Sequence, residues 1–550
     1  LTSTGSGVAF EDAGGGPTFK EGGTNFTNSL MVGSDATGTL NGANQNTGVG
    51  VGVFAALTSA DENTVMGFDS GKAITTSGGN SYFGWQSGKA TTTGGANVAI
   101  GAGALQANTE GASNVAVGLQ ALVTATTASN NVAVGKDSGR RVTSGANNTL
   151  VGKDSAPFLT TGADNTAVGH NALGANTTAA NNTAVGKNAM AANTTGTANT
   201  AVGKGALDAN TTGNSNVAVG QDALTTNTTG AGNIGIGVGA FRVNTTGAEG
   251  TAIGDGCLAL NTSGALNTGV GAQSLSKTTT GASNTALGGY ALQNNTTGAS
   301  LTAIGVQALQ ANTTASNNTA VGALAGIANT TGSEGVFIGF RAGKTTTTAN
   351  QNTVVGSFSL DNGAANTGIN NNIFGHASGR VITSGNHNNI MGADAGTALT
   401  TGVHNILIGG FAAGNSITTG SNNIAMGNSA LTAATTASTN TCIGASSGAN
   451  ITGSGNTCLG NVAGTNISTG GNNLCLGFEA GNAGSPSGDL SGNSNRIVLG
   501  DDAITNALVK VDWTVTSDKR DKTDIEPLTM GLDFVNKLEP VTYRWDMRSD

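Results

Sequence analysis

The chain has 550 residues, of which 90 are Gly, 5 are Pro and only 10% are charged, with a formal net charge of −9. Collagen is excluded because Pro is scarce and Gly does not fall at every third position; disorder is excluded by the modest charge and by aliphatic residues that recur on schedule. The acidic balance lacks the basic stripe expected for a nucleic-acid partner, and no run of about 18 apolar residues is available to span a membrane.

The first segment, residues 1–32, carries no basic and apolar leader of the secretory kind. It also lacks an initiator Met, so a fragment or a processed form is expected. Its stretch "EDAGGGPTFKEGG" is expected to attach the chain to something upstream.

Residues 33–500 repeat. Glycines closing a short apolar phrase fall at Gly33, Gly50, Gly67 and every 17 residues thereafter to Gly356. The register then slips but persists at Gly375, Gly392, Gly409, Gly427, Gly444, Gly460, Gly477 and Gly500. A fixed period of this size predicts a solenoid. Coils stacked at about 4.8 Å would make a thin rod roughly 130 Å long.

With each key glycine as position 0, the columns acquire physical meaning. Position −1 is large and apolar, as in Val168, Val185 and Val202; position −3 is Val or Thr; position −2 is mostly Ala. Position +4 is a second apolar column (Leu173, Met190, Leu207) beside small residues at +3, and Asn at −4 and "NTTG" at +7 to +10 mark the corners. Period-2 patterning with β-branched residues predicts a short strand. Asn and Gly suit tight corners, and Gly with Thr-Thr pairs excludes a helical repeat. The fold class expected is all-β: a parallel β-solenoid, two short strands per coil, with a small α+β C-terminal segment. Positions −1 and −3 are expected to face the coil interior. The small residues at −2 and +3, such as Ala184 and Ala189, are then expected to lie against other copies of the chain in a closed symmetric oligomer.

Three columns invite a chemical reading. Cys442, Cys458 and Cys475 share position −2, but Cys there replaces Ala as a small apolar residue, and four Cys make no disulfide framework. His387 and His404 share position −5 with no accompanying carboxylate or Cys column, so a stacked turn is expected and no metal. The many "NTT" phrases match the glycosylation acceptor, but the corner already explains their Asn. No Asp column of the calcium-binding kind exists, and adjacent Thr cannot both face one flat ice-binding plane. No carboxylate pair, nucleophile elbow or phosphate loop appears in the repeat. The shaft is read as non-enzymatic, with no cofactor.

After a connector at 501–516 the composition changes abruptly: 14 of the 53 charged residues lie in the last 34. The phrase Asn-Thr-Ala-Val-Gly followed by Ala-Leu resembles the head repeats of trimeric autotransporter adhesins, and still more the repeats of bacteriophage and large-virus tail fibres. That resemblance implies a left-handed roll and a homotrimer. "SDKRDKTDIEPLTMGLDFVNKLEPVTYRW" from Ser517, with its Ser-Asp-x-Arg-x-Lys pattern, resembles the start of the endosialidase-type intramolecular chaperone domain of phage fibres and spikes. The resemblance implies that this domain promotes trimerisation of the preceding β-structure and then cuts itself off. Ser517 would be the nucleophile, Lys522 its base, and Thr516–Ser517 the scissile bond. A Ser hydroxyl needs a base to take its proton, and a desolvated Lys can serve. Family domains continue further, so 517–550 is expected to hold only the beginning, one helix-like segment (530–538) and one strand-like segment (541–545).

The function expected is therefore a virion fibre, extracellular, contacting a host cell-surface glycan or protein. The alternatives are a trimeric cell-surface adhesin or other solenoid filament and, with only 4% aromatic residues, a polysaccharide depolymerase.

Overall fold

A computed structural model describes residues 2–4, 7–9, 19–23, 25–33, 38–361, 364–485 and 487–510. The chain divides into two compact units, 1–501 and 502–550. The first is a parallel β-solenoid and the described residues contain no helix.

A short antiparallel pair, Thr2–Thr4 with Gly7–Ala9, stands apart from the main sheet. The ladder opens with Phe19–Gly23 antiparallel to Phe26–Val32, and from Phe26–Val32 onward every pairing is parallel. Each three-residue strand then sits directly over the one 17 residues later: Thr183, Ala184 and Val185 face Thr200, Ala201 and Val202. The stack runs without interruption to Ile497–Leu499. The period of the glycines is therefore the rise of one coil.

The strand is short because a Gly terminates it. Gly186 has φ +136, and a Cβ there would lie 2.4 Å from the carbonyl oxygen of Gly203 in the next coil. Only glycine allows adjacent coils to approach this closely at that corner.

Two sequence expectations are corrected. Each coil has one strand, not two. In the segment after Gly118, Gln120 and Leu122 adopt φ of 57° and 49°, left-handed values that break the extended run into turns. These turns still donate backbone hydrogen bonds between coils, Leu122 N to the carbonyl of Ser138 at 3.0 Å. The conformation is costly for a β-branched residue and tolerable for Leu or Asn.

The facing of the strand is also inverted. In a three-residue strand only the central side chain points one way, and here it points inward. Ala184 at −2 is fully buried, as are Ala189 at +3 and Met190 at +4, whereas Val185 at −1 is only half-buried. Ala184 and Ala189 thus lie inside their own coil and are not available to a neighbouring chain. The interior is narrow, so large groups in one layer are traded between columns: in several coils where +4 is Gly, a large residue at +7 such as Ile74, Ile382 or Leu399 is buried instead. The commonest layer places Leu at +4 and Ala at −2. Where −2 is an aromatic ring, +4 is Gly: a Cβ on Gly88 would meet the Tyr82 ring at 2.3 Å, and one on Gly343 would meet the Phe337 ring at 2.2 Å.

Polar groups in this dry interior are paired along the stack. The Asn at −4 forms ladders, unbroken from Asn46 to Asn233: Asn131 Nδ2 donates to Asn114 Oδ1 (3.1 Å) and to the carbonyl of Gly145 (3.0 Å), while Asn131 N donates to Asn114 Oδ1 (3.0 Å). A second ladder occupies +7, where Asn210, Asn227, Asn244 and Asn261 each donate to the Oδ1 of the Asn one coil earlier. Buried amides arranged so that each donor meets an acceptor replace the water they lose. At +8, Thr194 Oγ1 donates to the carbonyl of Thr211 at 3.1 Å, closing the corner.

Candidate functional site

The solenoid presents two faces with different chemistry. On the strand face, inversion of the pleat turns the large apolar column at −1 outward. Ile236, Ile253, Ile304 and Ile338 are 36–38% exposed and Leu459 is 49% exposed. Beyond the glycine, in the turn segment and off the strand face, Phe68, Trp85, Val238, Val306 and Phe340 at +1 are exposed as well. An apolar column repeated at every coil is unlike the scattered apolar residues of an ordinary surface.

The opposite side is made of turn segments, and it carries the charged groups. Asp69 accepts from Lys72 (3.1 Å) and Lys89 (3.3 Å). Burial opposes its ionisation, but the two ammonium groups outweigh that and hold its carboxyl below the ordinary value. Where the period slips between Gly356 and Gly375, Arg341 Nε donates to the buried Asp361 at 3.0 Å. The same guanidinium lies 5.4 Å from the Phe358 ring centroid, and Phe358 meets Phe340 and His376 edge-on. These contacts clamp an irregular coil to its regular neighbours. Asp208 is raised above the ordinary carboxylate value, first by burial and then by the charge of Asp222.

The columns singled out in the sequence appear in place. Cys442, Cys458 and Cys475 are in register on successive strands, buried and unoxidised. Glycines at +4 make room for them, Gly448 and Gly464 lying against the sulfurs of Cys442 and Cys458. Sulfur–sulfur hydrogen bonding along the column, with Cys442 for Cys458 and with Cys458 for Cys475, pushes both thiols up, and burial adds to it. Cys257 is likewise pushed up, to about 11, by burial. Thiols in this state are poor nucleophiles and poor ligands. His387 and His404 stack with ring centroids 5.0 Å apart and planes 14° apart, on the exposed corner. The described residues contain no group of three or more His, Cys, Asp or Glu able to hold a metal ion. Asn193, an Asn of the "NTT" phrase, is fully buried and hydrogen-bonded inside its coil.

Thr516, Ser517 and Lys522, with the helix-like and strand-like segments after them, lie outside the described residues. Their chemistry rests on sequence.

Residues 517–550 match the family model described as chaperone of endosialidase. This match begins at Ser517, the residue at which the composition changes. No curated protein and no solved structure matches the chain. A chaperone-of-endosialidase segment C-terminal to a β-solenoid fits a structural protein of the tail-fibre kind.

The sequence reading missed the outward apolar column and the carboxylate pair Asp208–Asp222. A signal for the first was present: the aromatic residues at −2, Tyr82 and Phe337, are each paired with Gly at +4, Gly88 and Gly343, as expected if both columns share one interior.

Proposed function

We propose that the chain is the shaft of a virion fibre, a homotrimer that projects from the particle and contacts the host surface. The single observation that carries this reading is the chaperone-of-endosialidase match that follows an uninterrupted solenoid after a short connector.

The strand face supports the trimer. A column about 130 Å long and about 10 Å wide offers roughly 1,300 Å². A standard interface buries about 800 Å² per partner, and the largest apolar patch on a typical monomer is about 300–600 Å². The N-terminal segment attaches to other virion or tail proteins, and host contact is made with a cell-surface glycan or protein. No helix among the described residues is long and apolar enough to cross a membrane.

In this reading the C-terminal segment assists assembly and is then released. Lys522 takes the proton of the Ser517 hydroxyl, the oxygen attacks the Thr516 carbonyl, and the Ser517 amine leaves as the Thr516–Ser517 peptide bond breaks. The resulting ester is hydrolysed by water. Ser517→Ala is expected to leave one full-length band on a denaturing gel where the parent, expressed with its complete chaperone domain, gives two. Two bands from the variant would refute this assignment.

A further inference from the structure

On the turn face, the coils closed by Gly237 and Gly254 differ from the rest: Gly at +2 occurs singly at Gly52, Gly103 and Gly205, but here in two coils running. The +2 position usually carries a polar side chain, as at Asn171, Asn188, Asp222, Gln273 and Gln307, all in the left-handed conformation. Gly239 and Gly256 remove that side chain from two successive coils. The result is a groove of about 430 Å³ lined only by turn residues. Asp222 and Gln273 close its ends, three coils or roughly 14 Å apart.

The lining combines three kinds of group. Arg242 and Lys277 donate, Asp222 and Asp255 accept, and Val238 and Leu260 present apolar walls. Among the described residues no ion pair or side-chain hydrogen bond engages the Arg242 guanidinium or the Asp255 carboxylate, and both are exposed. Lys277 Nζ donates to Asn294 at 2.9 Å and keeps further protons to offer. Two cations face two carboxylates, so the groove has no net attraction for a polyanion. The two carboxylates lie on coils two apart, too far to close on one metal ion.

We propose that this groove binds a short neutral oligosaccharide. A polyhydroxylated ring needs donors and acceptors around its rim and apolar contact for its C–H faces, within a cleft of a few hundred cubic ångströms. The groove supplies all three, and its length accommodates two or three sugar rings. The inference rests on the reading of the shaft as a host-contacting fibre and names the class of glycan contacted.

The test is a glycan array carrying neutral hexose and N-acetylhexosamine oligosaccharides together with sialylated and sulfated counterparts, probed with the full chain. Gly256→Gln restores to the groove floor the side chain that position +2 carries at Gln273, and Arg242→Ala removes the free donor. Binding to neutral di- or trisaccharides is expected, weakened at least tenfold by each variant, with thermal unfolding unchanged by Arg242→Ala and slightly lowered by Gly256→Gln, whose left-handed backbone and contact with the Gln273 side chain carry a cost. Three results would overturn the groove assignment: equal binding by the parent and both variants, preference for the anionic glycans, or no binding to any glycan. Equal binding by the variants would leave glycan contact by the fibre standing, elsewhere on its surface. No binding would leave protein receptors for it.

Discussion

At the scale of single residues, the interior amide ladders decide stability. Along a run of Asn at +7, such as Asn210 to Asn261, each donates to the coil before it, so the end of a run leaves an oxygen with no donor from the next coil. Thr278 and Thr346 interrupt the +7 ladder, and the oxygens left without a partner are Asn261 Oδ1 and Asn329 Oδ1. Ala125 interrupts it similarly above Asn108. Thr278→Asn would donate to Asn261 Oδ1 and accept from Asn295, joining two ladders into one. We expect it to raise stability by about 1 kcal/mol, read as a higher thermal or denaturant midpoint; a fall would show that the amide does not fit. Asp208 supplies a pH-dependent case. Its carboxyl is raised by burial and by Asp222, so its ionised form disfavours the folded state. A carboxyl raised on folding contributes stability below its unfolded value, near 3.9, and loses it as pH rises through the folded value. Asp208→Asn should therefore raise the unfolding midpoint at pH 7, and the gain should vanish below about pH 4. A gain independent of pH would contradict this cause.

At the scale of the coil, the period, the parallel stacking and the corner positions were legible in the sequence, because Gly, Asn and Thr columns each answer a local backbone demand. The direction of the strand was not. Large β-branched residues at −1 read as core by hydrophobicity alone, yet three residues cannot bury both outer side chains on the side where the central one points. The +4 Leu, reaching in from the turn, already fills the layer and leaves room only for Ala at −2. Nor was the loss of the second strand visible, since left-handed Leu and Asn at +4 and +2 carry no composition signal distinct from a strand. Of the candidate site, the chaperone boundary at Ser517 was legible from charge composition and motif. The groove was not, because Gly at +2 reads like any other glycine of the repeat. The size exchange within one layer yields its own prediction. Gly88→Ala should cost several kcal/mol, because its Cβ would meet the Tyr82 ring and the surrounding coil is close-packed. Tyr82→Ala in the same chain should recover part of that loss, as a double-mutant cycle would reveal. Simple additivity of the two changes would show that they do not share a layer.

At the scale of the whole molecule, a single coil buries too little to stand alone, and stability accumulates as each coil covers the next. The outward apolar column is the surface that this stacking leaves unpaired. Three copies joined along their strand faces would cover it, and the chaperone segment at the end of the shaft would hold the copies in register while the ladder forms. The central claim is thus a fibre of three solenoids with their strand faces inward. Analytical ultracentrifugation of the purified full chain tests it most directly. The account predicts a sedimenting species of three chains that persists on dilution, and that falls to single chains when Ile236 and Ile253 are both replaced by Lys. A stable monomer of the parent chain, or a trimer indifferent to those two lysines, would contradict it.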